Sequence, residues 1–170
     1  SGTYTYSTTN ANGCDSTATL NLTINTATAS TNNQTVCYGG SYSINGNTYT
    51  SSGSYTDVYT NAAGCDSTVT TNLTVLNQLS VSIYNISSST VCSGSSVTLS
   101  IQGYANPNYT YQWSDANGSI SGATSSTYSA NASGTYTLTI TDANGCTATS
   151  NSISITVITV STPTSLSTSA

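Results

Sequence analysis

The chain has 170 residues, a formal charge of −5 and no Lys, Arg, His, Glu, Phe or Met; its acids are Asp15, Asp57, Asp66, Asp115 and Asp142. That inventory excludes a Ser–His–Asp triad, a His-built zinc site, cationic neutralisation of nucleic-acid phosphates and any cross-link that needs Lys, and it leaves little for general acid–base work at neutral pH. Ser and Thr make up about 40 % of the chain, but 13 Tyr and many Val, Ile and Thr argue for strands rather than disorder.

Residues 1–24 read as the back half of a small β module. Ala18, Leu20, Leu22 and Ile24 alternate with Thr19, Asn21 and Thr23, the period of a strand with one buried face. Residues 25–75 read as a complete module. There, Asn45-Gly46 lies between two alternating runs, the signal of a type I′ hairpin. A second turn, Asn61-Ala62-Ala63-Gly64, precedes Cys65, and Val69, Thr71, Leu73 and Val75 repeat the earlier alternation.

Residues 76–158 read as a larger module. Its strands are marked by Val81 and Ile83, by Val97, Leu99 and Ile101, by Tyr109 to Trp113, by Tyr136, Leu138 and Ile140, and by Ile153, Ile155 and Val157. About seven short strands around one mid-domain Trp suggest an Ig-like sandwich, with Trp113 and Tyr136 in its core. Residues 159–170 read as a linker or as the first strand of a next module. The fold class expected is all-β: tandem small disulfide-stapled modules that include an Ig-like sandwich. No run of 18 apolar residues suggests a membrane span, and no signal peptide is evident, so the chain reads as a window of a longer protein.

Three segments align without gaps, each opening on Ser-Gly-x-Tyr and ending on Gly-Cys: Ser1 to Cys14, Ser52 to Cys65 and Ser133 to Cys146. The Gly-to-Cys spacing is 12 residues each time. The second and third copies have a further Cys upstream, at Cys37 and Cys92. This repeat predicts disulfides Cys37–Cys65 and Cys92–Cys146, with Cys14 unpaired inside the window and its partner before Ser1. Loops of that size correspond to roughly 3–4 kcal/mol per bond. The pairing also places the chain in an oxidising compartment. With no CxxC pair, a Cys metal site is disfavoured.

Cys37-Tyr38-Gly39-Gly40-Ser41-Tyr42, the Asn45-to-Tyr49 hairpin, Ser52-Gly53-Ser54-Tyr55 and Gly64-Cys65-Asp66-Ser67 together resemble a repeat of giant surface and adhesin proteins of the Bacteroidota. Residues 1–24 resemble its back half, and residues 91–157 resemble the Ig-like module that accompanies it. The resemblance implies export by the type IX secretion system, residence at the cell surface or in a secreted filament, and a role in adhesion or filament formation. It implies no enzymatic activity. It also implies candidate O-glycosylation at Ser16 and Ser67, each preceded by Asp and followed by Thr; the alternative is that Asp-Ser shapes the turn after the Cys.

The five Asp are scattered and form no calcium loop, so neither metal nor cofactor is expected. Tyr104, Tyr109, Tyr111 and Trp113 form the best aromatic group for stacking on sugar. Alternation puts Tyr109, Tyr111 and Trp113 on one face, which favours core. The expected function is therefore a non-enzymatic, protease-resistant spacer; the alternative is a module that binds carbohydrate or another ligand. Expected partners are neighbouring repeats or copies of the same protein, outer-membrane secretion and anchoring machinery, and surface glycans, with no nucleic acid and no membrane span. Stability should vary little between about pH 5 and 9.

Overall fold

The computed structural model describes residues 1–159, in which sixteen strands and no helix are formed. Apart from Thr159, the stretch read as a linker or following strand lies outside the described residues. The chain divides into two units after Leu76.

The first unit begins with a hairpin of β1 (Gly2–Thr9) and β2 (Asp15–Leu22), paired from Gly2↔Leu22 to Thr9↔Asp15. Every residue of both strands is exposed, including Tyr4, Tyr6, Leu20 and Leu22. Next come β3 (Ala29–Val36), the short β4 (Tyr42–Ile44) and β5 (Asn47–Tyr49), then β6 (Gly53–Thr60) and β7 (Asp66–Val75). β6 and β7 form an antiparallel hairpin, and β3 runs parallel to β7 from Ala29↔Thr68 to Val36↔Val75. Asn45 and Gly46 take φ of 50° and 77° between β4 and β5, as a type I′ turn requires.

The interior of this module is polar and aromatic. Leu73 and Thr71 are buried, and so is the carboxylate of Asp57. Asp57 Oδ1 accepts hydrogen bonds from Asn47 Nδ2 at 2.6 Å and from the Tyr49 hydroxyl at 2.8 Å. The Tyr49 ring stacks on Tyr55 with centroids 3.9 Å apart. Asn32 Nδ2 donates to the Tyr42 hydroxyl at 2.7 Å. These contacts hold the β4–β5 hairpin and the β3-β7-β6 sheet as one body.

The second unit holds two sheets. One contains β8 (Ile83–Asn85), β10 (Val97–Ile101) and β13 (Thr127–Ala130) in the order β13-β10-β8. The other contains β9 (Thr90–Cys92), β11 (Thr110–Asp115), β12 (Gly118–Ser119), β14 (Gly134–Thr141) and β16 (Ile153–Ile158) in the order β12-β11-β14-β16-β9; β15 (Thr147–Thr149) also pairs with β14. Val97, Leu99, Trp113, Leu138 and Ile140 are fully or almost fully buried, joined by Tyr136, Ile155, Ile83 and Ala130. The indole N–H of Trp113 is satisfied by the Ser125 carbonyl at 2.8 Å, so its burial leaves no donor unpaired. Trp113, Tyr128 and Tyr136 form a run of rings with centroids 5.8 and 5.6 Å apart.

Candidate functional site

The residues that recur three times close a hairpin at both ends. At one end the Ser hydroxyl accepts the N–H of a residue at or near the end of the last strand: Ser1 from Ile24 at 2.9 Å, Ser52 from Val75 at 2.8 Å and Ser133 from Val157 at 2.8 Å. The Tyr hydroxyl then reaches back four residues to a carbonyl, Tyr55 to Ser51 at 2.8 Å and Tyr136 to Ala132 at 2.9 Å. The Gly between Ser and Tyr makes room for that ring. A Cβ on Gly53 would meet the Tyr55 ring at 3.2 Å.

At the other end the turn is the same in all three copies. Oδ1 of Asn10 accepts the N–H groups of Asn12 and Cys14, Asn61 those of Ala63 and Cys65, and Asp142 those of Asn144 and Cys146, at 2.8 to 3.1 Å. Gly13, Gly64 and Gly145 take φ of 78°, 79° and 82°. A side chain of the Asn/Asp type therefore sets the loop, Gly supplies its left-handed residue, and the Cys leaves the turn in a fixed place.

The upstream cysteines share a second setting. Cys37 directly follows β3, and Gly40 N–H bonds to its carbonyl at 2.8 Å with Gly39 at φ 76°. Cys92 ends β9, and Ser95 N–H bonds to its carbonyl at 3.0 Å with Gly94 at φ 88°. In both cases the strand leading to the Cys runs parallel to the last strand of its module, with Val36 beside Val75 and Cys92 beside Ile158. The Cys-x-Gly pattern was present in the sequence as the signal for this turn.

These placements overturn both predicted disulfides. Cys65 and Cys92 are free thiols, as is Cys14, while Cys37 and Cys146 are each disulfide-bonded. The reason is strand direction. Because β3 runs parallel to β7, Cys37 emerges at the Val75 end and Cys65 at the Asp66 end. Ten residues of strand separate those ends, roughly 33 Å at about 3.3 Å per residue. A disulfide tolerates a Cα separation of about 7 Å at most. The same holds in the second unit. Cys92 lies at the Gly134 end of the β14–β16 ladder, and Cys146 lies beyond Thr141 at the other end. In neither module, therefore, are the upstream cysteine and the turn cysteine bonded to each other.

The two candidate glycosylation serines differ. Ser16 is exposed, with no strand beside the outer edge of β2 among the described residues. Ser67 is 8 % exposed, and its hydroxyl is 2.7 Å from that of Thr28. A sugar on Ser67 would have to break that contact with Thr28, whereas one on Ser16 meets no such neighbour.

A cleft of about 270 Å³ in the second unit is lined by Ser82, Gln102, Tyr104, Asn106 and Tyr109 among others. Tyr104 is 87 % exposed beside it, and Tyr109 is partly buried. Tyr111 turns away, donating its hydroxyl to the Asn106 carbonyl at 2.8 Å; burial raises its phenol above the usual value of about 10. Trp113 is in the core. Tyr109 and Tyr111 pack against the core that holds Trp113, as their alternation suggests, while Tyr104 stands out in solvent. Among the described residues, no three His, Cys, Asp or Glu side chains come together as a metal set, and no helix is long and apolar enough to cross a membrane.

The strand order of the second unit, with a buried Trp on β11 and an edge strand parallel to β16, decides its class. It is an Ig-like sandwich. The chain matches no protein family and no curated protein. Among solved structures it is similar to the four N-terminal Ig domains of Dscam1 isoform 4.44, at 25 % identity over 62 % of this chain and 27 % of that one, TM-score 0.39. Extracellular domains 3–5 of Drosophila OTK are 20 % identical over 63 % of this chain and 40 % of theirs, TM-score 0.41. Murine CEACAM1b is 22 % identical over 63 % of this chain and 59 % of its own, TM-score 0.40. The chain thus spans less than two thirds of each of these structures. With scores this low, the Ig-like assignment stands on strand order and core.

Proposed function

We propose that this chain is a non-catalytic spacer segment of an extracellular, surface-attached or filament-forming protein, of the kind found among the giant Bacteroidota adhesins. The observation that carries this reading is the use to which the recurring residues are put. The Ser clasps a strand end, the Gly makes room for the ring, the Tyr and the Asn or Asp bond to backbone, and the second Gly turns the chain. Each of these side chains is engaged by the chain's own backbone or ring, so what repeats is a way of building a module. Two oxidised cysteines support an oxidising location. A chain with no Lys or Arg also offers trypsin-like proteases no cleavage site. Stacked modules of this size form a quasi-one-dimensional array, which suits a spacer. Export by the type IX route, anchoring by outer-membrane machinery and glycosylation at Ser16 belong to the same proposal.

A second reading, carbohydrate binding, is favoured by one observation. The cleft combines the exposed Tyr104 ring with Asn106 and Gln102, a stacking platform beside amide groups. A glycan array separates the two. The spacer reading predicts no saturable binding by the purified chain. Saturable binding that disappears in Tyr104→Ala would replace it with the second reading.

A further inference from the structure

Three hairpins of this chain share one register: Gly2 lies opposite Leu22, Gly53 opposite Leu73 and Gly134 opposite Ile155. In the last two the inward face is covered, and Leu73 and Ile155 are each 3 % exposed. In β1–β2 the same face lies in solvent, with Leu22 41 %, Leu20 60 % and Tyr6 70 % exposed. The strand edge differs in the same way. β7 and β16 each carry a parallel neighbour in one shared register, Val36 beside Val75 and Val91 beside Val157. Val75 and Val157 are the residues whose N–H groups Ser52 and Ser133 clasp. Ser1 clasps Ile24 in the same manner, yet among the described residues no strand pairs with the outer edge of β2. A hairpin with an apolar face and an open strand edge is a template for strand addition.

The residues on that face name the chemistry of its cover. By register, Tyr6 and Leu20 stand where the small module has Asp57 and Thr71. Asp57 is the acceptor that holds Asn47 and Tyr49 of the β4–β5 hairpin, so a polar hairpin of that kind would find no carboxylate on β1–β2. In the Ig-like unit the same two places hold Leu138 and Ile153, in a core shared with Val97 and Leu99 of β10. The face of β1–β2 is of this second, apolar kind.

We propose that β1–β2 is a docking surface for a stretch of polypeptide that adds a strand parallel to β2 and lays apolar side chains over Tyr6 and Leu20. The residue before the turn that ends this strand lies beside Ile24, as Val36 lies beside Val75 and Val91 beside Val157. Its source is the same polypeptide ahead of β1. In both complete copies the parallel neighbour comes from upstream of the hairpin it joins, β3 ahead of β6 and β9 ahead of β14. Cys37 then leaves β3 at the Val75 end, the end at which β6 begins, so an upstream strand in this register delivers the chain to the start of its own hairpin.

Residues 1–24 and 52–75 align without a gap, so a copy of residues 25–51 can be placed directly ahead of Ser1 in the full chain. Two such extended proteins are compared with the unextended chain, one with the added segment otherwise unchanged and one with Asn47→Leu in the added copy. Both carry Cys37→Ser in the added copy, so that no new thiol enters. Amide hydrogen exchange is read along β2, with Trp113 fluorescence as the check that the Ig-like unit is intact. The expected result is exchange slowed at least about tenfold along β2 in the Asn47→Leu protein, and slowed less with the unchanged segment. Leu20→Asn, at an exposed position of the unextended chain, should remove that gain. Exchange along β2 as fast in both extended proteins as in the unextended chain overturns the proposal. Protection by the unchanged segment equal to that of the Asn47→Leu segment overturns the apolar cover. Protection of the unextended chain that grows with its own concentration assigns the face to a second copy instead, and overturns the upstream source.

Discussion

The small module of residues 25–75 and the Ig-like unit share one frame and fill it differently. Both close a hairpin with a Ser clasp, a Tyr hydroxyl bonded four residues back and an Asn or Asp turn before Cys. Inside the Ig-like unit the frame encloses Trp113, Leu99, Leu138, Ile140 and Val97, nearly free of solvent. Inside the small module it encloses Asp57, Thr71 and a stacked Tyr49–Tyr55 pair, with Leu73 as its one fully apolar buried residue among those described. The lesson is that the repeated motif specifies edges and turns, while the interior is free to vary. The apolar interior should tolerate loss of any one hydrogen bond. The polar interior depends on a few of them, because a buried donor left without its acceptor costs more than the bond gained. Asp57 already carries part of that cost, since its Oδ2 has no hydrogen-bond partner among the described residues.

The largest expected effect lies in the apolar core. Trp113→Ala should cost about 3–5 kcal/mol, read as a lower urea midpoint for the Ig-like unit by circular dichroism. A loss under about 1 kcal/mol would mean that the ring run through Tyr128 and Tyr136 does not organise this core. Next is Asp57→Ala, which strands Asn47 Nδ2 and the Tyr49 hydroxyl. We expect about 2–3 kcal/mol in the small module, and no change at Trp113 by fluorescence. If the variant is neutral, the polar interior is not what holds the β4–β5 hairpin, and the contrast between the two regions fails.

The shared frame should respond alike in both regions. Gly64→Ala and Gly145→Ala each force a side chain into the left-handed region and should each cost about 1–2 kcal/mol; unequal costs would show that the turns are not equivalent. Tyr55→Phe and Tyr136→Phe remove one backbone hydrogen bond each, and about 1 kcal/mol is expected from either.

Alkaline titration sharpens the same contrast. The bond to Asp57, more than burial, raises the Tyr49 phenol above its ordinary value, whereas burial is the main cause at Tyr136. In both cases the folded value lies above the unfolded one, so the stabilisation is fully present below about pH 10 and is lost as pH rises through the folded values. Near-ultraviolet absorbance should show these tyrosines ionising later than the exposed ones. Asp57→Ala should bring Tyr49 back toward the exposed group and leave Tyr136 where it was.

Much of the local structure was legible in the residues. Alternation along Tyr136, Leu138 and Ile140 marks a strand with one buried face, and all three are buried. Asn45-Gly46 marks a hairpin, and both residues take positive φ. The parallel pairing of β3 with β7 was not legible, because a period of two says that a strand has a buried face but not which way it runs. That missing direction produced the wrong disulfides: spacing put Cys37 and Cys65 in one module, and only the β3 direction shows that they leave at opposite ends. The aromatic alternation was legible: Tyr109 and Tyr111 pack against the core that holds Trp113, and Tyr109, which precedes β11, also lines the cleft. Ser67 looked like Ser16 by motif, and only the neighbouring Thr28 distinguishes them.

The central claim is that each module carries its two cysteines at opposite ends, where they cannot bond to each other. The most direct test is non-reducing peptide mapping of the chain under oxidising conditions, dilute enough that copies do not meet, with a protease that does not need Lys or Arg. The account predicts Cys37 and Cys146 in disulfide-linked peptides and Cys14, Cys65 and Cys92 recovered as alkylated thiols. Recovery of Cys37–Cys65 or Cys92–Cys146 peptides would contradict the strand directions described above and, with them, the account of the modules.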